Sequence, residues 1–299
     1  MKLTLVIATY NRSSRLLAAL DSVARQSADP AEWECVAVDN NSADDTQTAF
    51  AAFAARHPQL NLRMVSETRQ GLSHARNKGI AESRGEIIAI IDDDEHINAD
   101  FISAYIDLFA NRPDAVAAGG RVIPEYPSGR PQWLSRDTEK PIANPTDWGG
   151  QVRLFPHGEI PAGGNMAFRR ELLEHYGGFD TSLGRSGRQL TGGEESDLFE
   201  RLRADGVAFY YVPDAIIWHV IEPDKLTADY FRRLARGTGA GQRRRALLRG
   251  RLVHLYIGEA VKWCATLVLG LFYTLSLRPS KALWLLRMRC GITKGIAGR

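Results

Sequence analysis

Asp92, Asp93, Asp94 and Glu95 form an unbroken acidic run directly behind the apolar segment Ile87-Ile88-Ala89-Ile90-Ile91. Adjacent carboxylates repel and raise one another's pKa, so a chain that keeps four together has a use for them. A divalent cation makes such a cluster tolerable: Mg²⁺ and Mn²⁺ take oxygen ligands, usually one or two protein carboxylates plus substrate phosphates. The D-x-D spacing puts Asp92 and Asp94 on one side of an extended chain, where one reaches the sugar of a nucleotide and the other grips the metal on its diphosphate. Glu95 is expected to point outward as a helix-start residue. The alternative, an acidic cap on the next helix, needs only one of the four.

A second acidic cluster, Gly192-Gly193-Glu194-Glu195-Ser196-Asp197, opens a helical segment much later in the chain. A carboxylate there could act as general base on an acceptor hydroxyl; acidic residues complementing a helix dipole fit the pattern as well. Asp39 in Asp39-Asn40-Asn41-Ser42 suits a hydrogen bond to a base or ribose, or a plain Asx turn. In Gly71-Leu72-Ser73-His74-Ala75-Arg76-Asn77-Lys78-Gly79, Arg76 and Lys78 either offset phosphate charge or face solvent. No G-x-x-x-x-G-K-[ST] loop and no G-x-S-x-G elbow is present, and Gly237-Thr238-Gly239-Ala240-Gly241 follows an Arg-rich helix where a dinucleotide fingerprint would follow a strand.

These residues need a scaffold that brings strand ends together. Apolar, branched runs at 3–8, 35–38, 62–65, 87–91 and 115–118 alternate with helical spacing at 14–26, 44–56, 73–83 and 99–111, the pattern of stacked βα units in a doubly wound α/β half. Ligands in such sheets collect at the carboxyl ends of the strands, which is where Thr9-Tyr10-Asn11-Arg12, Asp39 and Asp92 fall. Residues 124–161 lose the periodicity: seven prolines lie there with Trp133, Trp148 and Phe155, as in a long excursion lining a cleft. Strands are expected again at 208–212 and 215–218.

The 299 residues are 44% hydrophobic and 24% charged, an ordinary globular balance that does not favour disorder. Cys35, Cys264 and Cys290 lie far apart and form neither a disulfide framework nor a zinc pattern, as expected of a reducing compartment. The first residues run straight into a strand-like segment too short for a signal-peptide core, so no cleaved export signal is expected. The net charge of +3 hides an asymmetry: residues 1–225 hold 23 of the 38 Lys and Arg but 33 of the 35 Asp and Glu, leaving 15 cations against Asp229 and Glu259 in 226–299. That basic segment also contains the apolar run 263–277, a combination that points to an anionic membrane surface and away from nucleic acid. A boundary is expected near 225.

Taken in series, Ala8-Thr9-Tyr10-Asn11-Arg12, Val38-Asp39-Asn40-Asn41-Ser42, Ala75-Arg76-Asn77-Lys78-Gly79, Asp92-Asp93-Asp94-Glu95, Gly164-Asn165-Met166-Ala167-Phe168-Arg169 and Gly193-Glu194-Glu195-Ser196-Asp197 resemble, in order and spacing, the family 2 glycosyltransferases. Leu183-Gly184-Arg185-Ser186-Gly187 is similar to the branch of bacterial exopolysaccharide glucosyltransferases that builds succinoglycan-type repeats. The resemblance covers about residues 1–222. It implies a GT-A fold with a mostly parallel central sheet, an inverting transfer from a nucleotide sugar, usually UDP-linked, and a Mg²⁺ or Mn²⁺ cofactor. Position by position, Thr9, Tyr10 and Arg12 would line the nucleotide pocket, Asp39 would bind the base and Arg76 support it. Asp92 and Asp93 would face the nucleotide, with Asp94, Asp92 and His219 towards the metal, and Gly164 and Asn165 would floor the sugar and acceptor site. The base position usually carries the Asp of a Glu-Asp pair; Glu195 stands there, with Glu194 as its rival and Asp197 in support. A lone His such as His219 at a strand end also serves simply as structure.

In the basic segment, Tyr230-Phe231-Arg232-Arg233-Leu234-Ala235-Arg236 has amphipathic spacing. Residues 263–277 would span only about 22 Å as a helix, short of a ~30 Å hydrocarbon core. The expectation is a helix lying in or dipping into the cytoplasmic leaflet, followed by a shorter piece at 281–290, with a transmembrane helix as the alternative. The expected partners are a nucleotide-sugar donor, a lipid-linked saccharide acceptor and the membrane surface. A catalytically silent module that binds a nucleotide or scaffolds an assembly complex is the rival from another class. A sugar nucleotidyltransferase is disfavoured, because it wants a glycine-rich loop where Thr9-Tyr10-Asn11-Arg12 stands.

Overall fold

The apolar runs become strands buried on both faces, and their two-residue alternation divides them between two layers of helices. In the computed structural model, which describes residues 1–187 and 189–298, the chain begins β1 (Leu3–Thr9), α1 (Ser13–Val23), β2 (Trp33–Asp39), α2 (Thr46–Arg56), β3 (Leu62–Ser66), α3 (Leu72–Glu82) and β4 (Ile87–Asp92). Leu3, Leu5 and Ile7 of β1 pack into one core with Leu16 and Leu20 of α1 and Phe50 and Phe53 of α2. Val6 and Ala8 pack into the other with Ala75 of α3. Every residue of β1 and β2 is buried, as parallel strands between helical layers must be.

Then follow β5 (Glu95–Ile97), α4 (Phe101–Asn111), β6 (Ala117–Glu125), α5 (Arg136–Ala143), β7 (Arg153–Leu154), β8 (Met166–Arg169), α6 (Arg170–Tyr176), α7 (Glu194–Ala204) and β9 (Phe209–Val220). Among the described residues nine strands form one mixed sheet in the order β3-β2-β1-β4-β8-β6-β9-β5, with β7 also on β9. β3, β2, β1 and β4 are parallel, and β8 joins β4 antiparallel. The run at 115–118 therefore enters the sheet through β8, antiparallel to it, and not as a fifth parallel strand. The two strands expected at 208–212 and 215–218 are one, because Pro213 falls between the part of β9 that pairs with β7 and the part that pairs with β5.

Two units make up the chain: Met1–Ile123 with Thr146–Thr181 and Glu194–Val220, and Pro124–Pro145 with Ser182–Gly193 and Ile221–Arg299. The second holds α5 and the helices α8 (Ala228–Leu248), α9 (Leu252–Leu275) and α10 (Pro279–Ile296). Leu134, Ile142 and Ala143, in the proline-rich stretch, are buried with Phe231, Leu234, Leu285 and Met288 in its core. The glycines of the 237–241 run work by having no side chain: a Cβ on Gly239 would lie 2.0 Å from the Ile292 carbonyl, and one on Gly291 would lie 2.6 Å from the Ala235 Cβ. α8 and α10 thus touch backbone to backbone.

α9 begins at Leu252, well before the apolar run expected at 263–277, and its 24 residues extend to about 36 Å. Of the two charges within it, Lys262 is exposed and Glu259 is accommodated in the fold. Glu259 turns inward to α10, where Arg289 donates to Oε2 at 3.0 Å and Thr293 to Oε1 at 2.6 Å, while Trp263 Nε1 donates to Thr293 at 2.9 Å. The opposite side of α9 presents Val261, Val268, Leu271 and Leu275 to solvent, the last 75% exposed. Among the described residues it is the one helix long and apolar enough to cross a membrane.

Candidate active site

Parallel register aligns the strand ends: Thr9 lies opposite Asp39 and Ala8 opposite Asp92. All three loops that leave these strands therefore open at one edge of the sheet. Thr9 is buried and donates to Asp93 at 2.8 Å, and Arg12 donates to the other oxygen of Asp93 at 2.9 Å. Tyr10 beside them is exposed. Asp39 accepts from the Ser42 amide at 3.0 Å and from Gln47 at 2.6 Å, so its carboxylate builds the turn after β2. Asn40, which the sequence did not single out, fixes the next loop. Its amide donates to the carbonyls of Glu67 and Arg69, and its oxygen accepts from the Gly71 amide.

The acidic run is not extended. Asp92 ends β4, Asp93 and Asp94 form a turn, and Glu95 begins β5, so the D-x-D residues have different partners. Asp92 accepts from Arg76 at 2.8 Å. Asp94 has Arg12 at 3.6 Å and Arg15 at 3.8 Å on one oxygen, and His219 Nε2 at 3.8 Å from the other. Glu95 does not point outward. It is buried opposite His219 in the β5–β9 ladder and accepts from the Asp92 amide at 2.9 Å. Burial, with Asp92 and Asp94 adding repulsion, pushes its carboxyl well above the usual range. Burial likewise pushes Asp93 up to about 6, against the pull of Arg12.

Arg76 is neither a phosphate contact nor a solvated residue of α3: it is wholly buried. Its Nη1 lies 3.2 Å from both Glu194 and Glu195, and its Nη2 donates to Asp92 at 2.8 Å and to the Gly163 carbonyl at 3.2 Å. Burial disfavours its charge, but Asp92, Glu195 and Glu194 outweigh that and hold its pKa above the ordinary arginine value. One guanidinium thus brings the two acidic clusters to a common point. At the start of α7, Glu194 is 1% exposed, whereas the Glu195 side chain is 24% exposed. Asp197 pairs with Arg201 one turn along, at 2.9 Å.

Gly163 and Gly164 are small for a reason visible here. A Cβ on Gly163 would fall 2.0 Å from Glu195 Oε1, and one on Gly164 would fall 1.9 Å from Glu95 Oε1. Both carboxylates rest on bare backbone. Asn165 is fully buried: its amide nitrogen donates to the Arg121 and Ala215 carbonyls at 3.0 and 2.9 Å, and its oxygen accepts from Tyr105 at 2.5 Å. It ties β8 to β6 and β9 beneath the glycines.

The donor set around Asp94 fits a divalent ion of the Mg²⁺ or Mn²⁺ kind. An ion about 2.1 Å from each ligand can touch both Asp94 and His219 across their 3.8 Å separation. Among the described residues no group of three or more His, Cys, Asp or Glu side chains is placed to hold a metal, so the remaining ligands of such an ion would be phosphate oxygens and water.

The model of the family described as Glycosyl transferase family 2 matches residues 4–177. A glucosyl-dolichyl phosphate glucuronosyltransferase of Haloferax volcanii is 30% identical over 206 residues, 68% of this chain and 63% of its own length. The succinoglycan biosynthesis protein ExoM of Rhizobium meliloti is 26% identical over 212 residues, 70% of this chain and 63% of its own. The chain thus spans less than two thirds of the length of these curated relatives. Among solved structures, the mannosyltransferase PcManGT from Pyrobaculum calidifontis, in complex with GDP-Man and Mn²⁺, superposes with a TM-score of 0.65 at 21% identity, covering 100% of this chain and 88% of that one. TarS of S. aureus in complex with UDP-GlcNAc gives 0.57 at 16% identity over 100% and 93%. The likeness to these structures lies in the fold, with β1 to β4 and their loops inside the matched stretch. This chain belongs to glycosyltransferase family 2 and has its GT-A fold.

Proposed function

We propose that the protein is an inverting hexosyltransferase that moves a sugar from a nucleotide sugar, with UDP as the first expectation, to a hydroxyl of a lipid-linked saccharide in cell-surface polysaccharide assembly. The observation that carries this reading is the Arg76 junction, which sets Asp92, at the edge where a nucleotide would lie, against Glu195, the more exposed of the two α7 carboxylates that Arg76 contacts. Residues 1–225 are the transferase part and 226–299 the part that meets the cytoplasmic face of the membrane. The basic surface of 226–299 and the exposed apolar side of α9 support that division.

In the proposed mechanism, the nucleotide lies across the ends of β1, β2 and β4, with Thr9, Tyr10, Arg12, Asp39 and Asp93 around it. Asp94 and His219 would hold the ion, which when bound would offset the charge of the departing diphosphate. Glu195 takes the proton of the acceptor hydroxyl while that oxygen attacks the anomeric carbon from the face opposite the leaving group. Arg76 orients Glu195 through its contact at 3.2 Å. Glu194, buried on the same guanidinium, braces that arrangement. A single displacement needs no covalent nucleophile and inverts the anomeric centre.

The test is a screen of UDP-, GDP- and dTDP-sugars for nucleotide release with Mn²⁺ and a membrane lipid fraction. One donor should turn over in a Mn²⁺-dependent way, with Asp94→Ala inactive. Release from no donor, or an Asp94→Ala protein as active as its parent, would overturn the assignment. The Haloferax relative, a glucosyl-dolichyl phosphate glucuronosyltransferase, supports including polyprenyl-linked saccharides among the acceptors.

A further inference from the structure

Within the helical unit, α8 and α10 enclose a pocket of 440 Å³ into which four cations converge: Arg232 and Arg236 from α8, Arg287 and Lys294 from α10. The spacing explains the convergence. Arg232 and Arg236 are one turn apart on one helix, Arg287 and Lys294 two turns apart on the other, and each pair shares a face. Gly291, between the second pair, lets Ala235 of α8 come close enough to bring the two rows together. The remaining wall is apolar, formed chiefly by Phe231 and Trp284, whose rings meet edge to face at 5.0 Å. Arg287 lies 5.3 Å above the Trp284 ring.

Local carboxylates balance only one of these four cations. Residues 226–299 contain only Asp229 and Glu259. Asp229 pairs with Arg232 and Arg233, and Glu259 is committed to Arg289. Like charges held close repel and favour a bound anion. A phosphodiester carries one negative charge, fewer than the three remaining cations Arg236, Arg287 and Lys294, whereas a phosphomonoester near neutral pH carries between one and a half and two, and a diphosphate more. The aromatic wall suits an apolar chain leading away from that phosphate.

We infer that this pocket binds the phosphate or diphosphate end-group of an isoprenoid-type lipid, the carrier of the acceptor saccharide. The inference rests on the lipid-linked acceptor proposed above and assigns its anchor to residues outside the sheet. Recognition of the carrier is then separate from recognition of its sugars, since the end-group is held by guanidinium and ammonium groups of α8 and α10.

The test uses the full chain and no donor, so its result does not depend on whether transfer occurs. Flotation is measured with phosphatidylcholine vesicles carrying either a polyprenyl phosphate or phosphatidylglycerol, matched for total surface charge. The parent should bind the monoester vesicles about tenfold more tightly, and Arg236→Gln with Lys294→Gln should bind both kinds equally. Arg251→Gln with Arg278→Gln, exposed cations outside the pocket, should weaken both kinds in proportion and leave the preference intact. Cys290 lines the pocket, so in a Cys264→Ser background its alkylation should slow on polyprenyl-phosphate vesicles and not in soluble inorganic diphosphate. Equal binding of both vesicles by the parent overturns the proposal, as does a preference that survives in the Arg236/Lys294 variant. Protection of Cys290 by inorganic diphosphate alone would make the ligand a free phosphate and overturn the lipid assignment.

Discussion

Two buried ionic networks, one in each unit, are built to opposite plans. Around Arg76 one guanidinium faces Asp92, Glu194 and Glu195, so negative charge remains in excess. Between α9 and α10, Glu259 meets Arg289 one to one, and the hydroxyl of Thr293 completes the carboxylate's contacts. The balanced pair closes on itself and leaves nothing for a ligand. The unbalanced one keeps its excess at a strand edge, next to the site that would receive a cationic metal and a polar substrate. On the proposed mechanism, charge imbalance more than burial separates the network that serves chemistry from the one that serves structure.

The comparison breaks most readily at its two arginines. Arg76→Met leaves three carboxylates without their shared cation and should cost about 3–5 kcal/mol of stability in urea unfolding, together with all turnover. Arg76→Lys should recover little of either, because an ammonium cannot reach Asp92 and the α7 carboxylates at once. At the other network, Arg289→Met alone should cost about 3 kcal/mol, read as detergent-solubilised thermal unfolding. Adding Glu259→Met should return most of that loss, since the pair as a whole is replaceable by apolar contacts. If the double variant is no better than the single, the one-to-one network is also more than structural. A sharper contrast comes from Glu195→Gln, which keeps the volume and removes the proton acceptor. It should lower kcat by about 10²–10⁴ with an unfolding midpoint close to the parent's, whereas a purely structural carboxylate would show the reverse.

The smallest expected effect concerns pH. Glu67 is held down to about 2 by the hydrogen bonds and charge of Arg69. A carboxyl whose folded pKa is depressed contributes stability above its unfolded value that fades as pH falls through the folded one. Its contribution should therefore disappear between about 4.5 and about 2, and Glu67→Gln should flatten the acid limb of stability in that window while leaving neutral-pH stability nearly parallel. A curve unchanged by the substitution would remove Glu67 from the acid response.

Strand ends were legible in the chain because branched runs terminate in polar residues. Thr9, Asp39 and Asp92 fall at one sheet edge as their spacing predicts. What hid was anything decided by distant partners. Arg76 and Lys78 look alike in sequence, yet the first is wholly buried and the second pairs with Glu82 on the helix surface; the distinction depends on α7, which begins over a hundred residues later. Glu95 reads as a helix start because a carboxylate after a strand usually is one, and only its pairing across to His219 places it in the sheet. Gly237-Thr238-Gly239-Ala240-Gly241 reads only as a poor dinucleotide fingerprint, since nothing local indicates that α10 needs the space at Gly239. The grouping of 124–145 with the carboxyl-terminal helices follows from the burial of Leu134 and Ile142, a long-range fact without a local signal.

The two-residue turn at Asp93 and Asp94 is held at both ends by strands of the same sheet, β4 before it and β5 after it. A loop fixed so tightly has little conformational freedom left to lose. A protein that organises its ligand-binding loop only on contact loses part of its binding energy to that ordering; here the sheet has met that requirement during folding. On the proposed mechanism, donor capture should accordingly be limited by encounter, with the acidic turn acting as a rigid template.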